Sequence, residues 1–99
     1  MSKSKKRWER DSILLSDGTV QYWTSFSRGW ERVSIEVLQD DDGYSSYIYW
    51  RGECICNASW CFCDTNMRHV YHTNIPRCFA WLVDAMRERF FIDVPMEGI

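Results

Sequence analysis

The apolar period changes once along this chain, and that change constrains the fold more than any other feature. Before His72, apolar and polar residues alternate. Val33, Ile35 and Val37 are interleaved with Ser34 and Glu36, the two-residue period of a strand with one wet face. After His72, Phe79, Leu82, Val83, Met86 and Phe90 recur at helical spacing, with Arg77, Asp84, Arg87 and Glu88 off the stripe. A single switch in 99 residues predicts one α+β domain. Its expected architecture is an antiparallel β-meander of about four to six strands with one C-terminal helix packed on one face.

Turn signals divide the strand region. Asp17-Gly18, between Ile13-Leu14-Leu15 and the run Thr19 to Trp23, predicts a two-residue type I′ hairpin turn. Ser27-Arg28-Gly29-Trp30 breaks the pattern, Asp40-Asp41-Asp42-Gly43 marks the next turn, and Tyr44 to Trp50 reads as another strand. Arg51-Gly52 and Asn57-Ala58-Ser59 punctuate two shorter extended pieces. Thr73 and Asn74 are good helix caps and Pro76 suits a first turn. The helix is therefore expected from Asn74 to Phe91, with about four turns after Pro76.

Charge is uneven. Lys3, Lys5, Lys6, Arg7 and Arg10 crowd the first ten residues, whereas the chain as a whole carries a net charge of −2. Residues 1–7 read as a flexible basic tail and residues 8–99 as the compact domain. The acidic balance argues against a general nucleic-acid binder. No apolar run has the ~20 residues a membrane span needs, and the basic N-terminus leads into Trp8-Glu9-Arg10-Asp11 rather than an apolar stretch. Five cysteines, an odd count, point to thiols in a reducing compartment, and a cytoplasmic location is expected.

Four of those cysteines form two C-x-C pairs, Cys54 with Cys56 and Cys61 with Cys63. A hairpin closed by Asn57 to Trp60 would set Cys56 opposite Cys61 and Cys54 opposite Cys63, with His69 and His72 nearby. Such a patch is the arrangement a zinc-stabilised domain would use. Against it, alternate strand residues lie about 6.5–7 Å apart, and two sulfurs on one zinc must approach under ~4 Å. The expectation is therefore reduced, mostly buried thiols with no metal and no cofactor. Cys78 near the helix start, with His72 six residues earlier, is the one thiol–imidazole candidate for nucleophilic catalysis. No orienting partner, G-x-S-x-G or glycine-rich phosphate loop accompanies it. The chain does not read as an enzyme.

Aromatic residues carry the functional signal: six Trp, five Tyr and five Phe make up 16% of the chain. In Tyr44 to Trp50, Ile48 and Trp50 share one strand face and Tyr47 and Tyr49 the other. One helix covers one sheet face, so Tyr47, Tyr49 and Trp23 are expected on an open face, where Tyr and Trp act as interaction anchors. Arg28, Arg32 and Arg51 supplement this surface. Asp40, Asp41 and Asp42, with Glu31, Glu36 and Glu53, can compete for a basic channel on a nucleic-acid-binding target.

In kind, a small, acidic, single-domain chain with no catalytic motif and an aromatic surface is similar to phage-encoded inhibitors of bacterial defence, of which the anti-CRISPR proteins are the best-known group. The similarity lies in that general character and in no motif. It implies a non-enzymatic module that binds a larger protein complex and inhibits it by occupying a functional surface. The competing expectation is a nucleic-acid-binding module that stacks bases on Trp23, Tyr47 and Tyr49, with the basic tail on phosphates.

Overall fold

The computed structural model describes residues 9–28, 31–62 and 67–98, with Glu9, Arg10, Asp11, Leu14 and Arg28 placed as backbone alone. The basic tail expected over residues 1–7 lies outside the described residues, as does Cys63. Alternation before His72 produces six strands: β1 (Glu9–Leu14), β2 (Val20–Arg28), β3 (Glu31–Asp40), β4 (Gly43–Trp50), β5 (Glu53–Phe62) and β6 (Arg68–Thr73). Each pairs antiparallel with the next, so sheet order follows chain order. The helical stripe becomes α1 (Ala80–Phe90).

Period two decides which side is buried. Ile35 and Val37 of β3, Ile48 of β4, and Cys56, Ala58 and Trp60 of β5 all point to one face, and α1 lays Leu82, Val83 and Met86 on it. Phe90 meets Tyr22 of β2 with ring centroids 5.2 Å apart, and Trp81 meets Phe26 edge-on at 5.8 Å. The other sheet face carries no described element. This is the expected α+β meander with one C-terminal helix.

Several local expectations change. Asp17-Gly18 closes a three-residue loop, because Leu15 N–H donates to Thr19 O at 2.7 Å and Gly18 N–H to Leu15 O at 3.0 Å. Gly18 has φ +92°, the left-handed position of such loops. The type I′ pattern of two positive φ angles falls instead at Arg51 (+54°) and Gly52 (+82°), between the paired residues Trp50 and Glu53. Strand β2 continues through Ser27 to Arg28, which pairs with Glu31.

The two short pieces around the cysteines are one strand. Asn57, Ala58 and Ser59 pair with Tyr47, Ser46 and Ser45 on one side. Ala58 and Ser59 also pair with Thr73 and His72 on the other. Between two ladders, these residues cannot turn. The helix also starts later than expected. Asn74 N–H donates to Asn57 O at 3.1 Å and its side-chain oxygen accepts from Asn57 N–H at 2.8 Å, prolonging the ladder. Ile75 is then fully buried in extended chain, and Pro76 (ψ 162°) precedes a 3₁₀ turn over Arg77–Phe79.

After α1 the chain returns across the buried face in a segment that no sequence period foreshadows. Ile92 and Val94 join the core beside Trp60 and Ile75. Arg68 donates to Asp93 O at 2.7 Å, Thr73 Oγ1 to Pro95 O at 2.9 Å, and Glu97 N–H to Ile75 O at 2.8 Å. This strap covers the β5–β6 side of the core while α1 covers the β2–β3 side.

Candidate functional site

Register, not strand pattern alone, assembles the open face. Asp11 pairs with Trp23, Trp23 with Glu36, Glu36 with Tyr47, and Tyr47 with Asn57. Residues directly opposite in antiparallel strands hold their Cβ atoms about 4.5–5.5 Å apart, so Trp23, Glu36 and Tyr47 form a continuous transverse row. One flanking row runs Gln21, Leu38, Ser45, Ser59, His72, and the other runs Ser25, Ser34, Tyr49, Cys54.

Glu36 lies at the centre of this face and is fixed from both sides. Tyr49 Oη donates to Oε1 at 3.0 Å and Gln21 Nε2 donates to Oε2. Burial, then the bond to Glu36 and the carboxylate's charge, push the Tyr49 phenol up to about 12. It therefore stays a donor at neutral pH. Both donors are neutral, so the carboxylate's charge is held but not cancelled. Trp23, Glu36, Tyr47 and Tyr49 are each half-buried. Beyond Tyr47, Ser45, Asn57, Ser59 and His72 line a polar hollow, where Asn57 Oδ1 and His72 Nε2 lie 2.9 Å apart.

The remaining sequence-based candidates disperse. Arg32 lies on the open face and donates to Ser25 Oγ at 3.3 Å. Arg28 is placed by backbone alone at the end of β2. Arg51 occupies the β4–β5 turn, its guanidinium 4.7 Å over the Trp50 ring and 3.5 Å from Glu31. Asp40, Asp41 and Asp42 sit at the opposite end of β4, roughly 25 Å away by strand rise. Asp40 Oδ1 accepts from the backbone N–H groups of Asp42 (2.8 Å) and Gly43 (3.1 Å), so this carboxylate fastens its own turn. Trp50, expected in the core with Ile48, is 40% exposed because it lies at the strand's end.

The cysteines do not gather as a hairpin would gather them. Cys56 and Cys61 are five residues apart along a continuous strand, roughly 16 Å. A bulge leaves Ile55 without a partner in the β4–β5 register and sets Cys54 opposite Tyr49, while Cys56 faces Ile48 in the core. The C-x-C pair is thus split between environments: Cys54 is exposed, Cys56 buried and Cys61 half-buried, which corrects the expectation of mostly buried thiols. Burial pushes the Cys56 thiol up to about 11. Among the described residues no three His, Cys, Asp or Glu side chains could hold a metal ion.

Cys61 Sγ instead lies 2.9 Å from Tyr71 Oη, and His69 meets the Tyr71 ring edge-on at 4.9 Å. Cys78, expected inside the helix, falls in the 3₁₀ turn that precedes α1 and is exposed.

The sequence could not show that Glu36 sits directly between Trp23 and Tyr47, because that depends on two registers at once. Comparison with protein families, with curated proteins and with solved structures finds no match to this chain.

Proposed function

We propose that this protein is a non-enzymatic protein-binding module, which acts by occupying a functional surface of a larger protein complex in the manner of a small inhibitor. One observation carries the reading. The sheet face that neither α1 nor the strap covers presents Trp23, Tyr47 and Tyr49 around a carboxylate fixed by two hydrogen bonds. Tyr and Trp on a rigid sheet bind with little loss of side-chain freedom and dominate hot spots. Repulsion between the central carboxylate and phosphate weighs against nucleic acid as the ligand. No helix among the described residues is long and apolar enough to cross a membrane.

The test is affinity capture from a host lysate with and without nuclease, using the wild-type chain and the Trp23→Ala/Tyr47→Ala double variant. A stoichiometric protein partner that survives nuclease and is lost with the double variant supports the proposal. Truncating two central anchors is expected to weaken binding by ~2 kcal/mol or more, roughly thirtyfold. Recovery of nucleic acid alone, or a partner indifferent to the double variant, overturns it.

A further inference from the structure

Resting on that reading, we infer that the open face recognises a cationic side chain, an arginine on an exposed segment of the protein partner, seated over Glu36 between Trp23 and Tyr47. Each element of the row contributes to that selectivity. The ring faces of Trp and Tyr attract a cation through their quadrupoles, with Trp the stronger. A guanidinium is planar and weakly hydrated, so it both stacks on such rings and donates to a carboxylate.

Glu36 has acceptor capacity left after its bonds to Tyr49 and Gln21. Those neutral donors hold it in place and leave a full negative charge facing outward. Neither described donor to Glu36 is a cation, and the open-face guanidinium of Arg32, which reaches the flanking row, is bonded to Ser25 Oγ at 3.3 Å. The carboxylate thus keeps acceptor capacity for a cation supplied by the partner. Next to the row, the hollow lined by Ser45, Asn57, Ser59 and His72 offers polar groups to the backbone of the same segment.

The experiment is a heteronuclear NMR titration of the full chain at low salt with a short glycine–serine peptide bearing arginines. The control peptide carries citrulline, which keeps the shape and removes the charge. The arginine peptide is expected to shift the Trp23 indole and Tyr47 ring signals, and the citrulline peptide to leave them unmoved. Glu36→Gln keeps a side-chain oxygen for Tyr49 but sets an NH2 against Gln21, so it should weaken binding about tenfold, ~1.4 kcal/mol, while lowering the melting temperature by no more than the few degrees that one lost hydrogen bond costs. Trp23→Ala should weaken it similarly.

Equal binding of the citrulline peptide, or full affinity in Glu36→Gln, overturns the inference. So does a tenfold gain on deleting residues 1–7, which would assign the face to the chain's own basic segment. If no arginine peptide binds but the Trp23→Ala/Tyr47→Ala variant still loses its captured protein, this inference fails and the protein-binding reading stands. If capture is indifferent to that variant, the reading itself fails.

Discussion

Phe91 closes α1 in the left-handed conformation, φ +60° and ψ 31°, its N–H bonded to Arg87 O. Glycine is the usual residue there, because a Cβ costs ~1–2 kcal/mol in this region. Its ring is 90% exposed, so little packing offsets that cost. Phe91→Gly should therefore stabilise the fold by about 1 kcal/mol, which thermal melting reads as roughly 4–8 °C. A lower melting temperature would mean that the ring is held by contacts its exposure conceals. Gly43 is the converse. At φ +146°, a Cβ would lie 2.5 Å from Trp60 O and 2.9 Å from Cys61 Cβ, against backbone that cannot yield without moving β5. Gly43→Ala should cost ~2 kcal/mol or more, measured by urea denaturation. An unchanged midpoint would show that the β3–β4 turn shifts freely.

Removing the strap should matter more than its lack of regular structure suggests. Ile92 and Val94 are 8% and 2% exposed, and burying each such side chain contributes ~1.5–3 kcal/mol. That sum is a large share of the ~5–15 kcal/mol that stabilises a domain. A chain ending at Phe91 should lose cooperative melting by circular dichroism; retained cooperativity would show that α1 alone seals the core. The strap was hard to read because Ile92-Asp93-Val94-Pro95 is too short for a period and its proline resembles a tail. Strands β3 and β4 were readable because one face is wet, so alternation survives in sequence. That same alternation placed Tyr47 and Tyr49 on the open face. Strand β5 was misread because Asn57 and Ser59 are turn formers, whereas the ladders to β4 and β6 that hold them extended do not show in a strand read alone. Glu36 escaped as the centre of the face for a related reason: turns and hydrophobic pattern set register jointly.

At the scale of the whole molecule, both faces carry groups whose ionisation opposes folding. Cys56 is buried in the core, and burial raises its thiol to about 11. Tyr49, on the open face, is raised to about 12 by burial and then by its bond to Glu36. Burial raises Tyr44 as well. Each group holds its proton longer folded than unfolded, so the native state binds more protons and stability falls as pH rises. Their contribution is intact below the unfolded values, about pH 8.5 for a thiol and 10 for a phenol. It is lost as pH climbs through the folded ones. Urea denaturation at increasing pH should therefore show stability unaffected by these groups near neutrality and declining from about pH 9 upward. Cys56→Ala should flatten the first part of that decline and Tyr49→Phe the later part. The second change removes a donor from Glu36 but leaves the core untouched, so its effect at neutral pH should be about 1 kcal/mol. An alkaline limb unaltered in both variants would place the titration elsewhere, and would mean that the phenol of Tyr49 is open to water rather than committed to the carboxylate at the centre of the face.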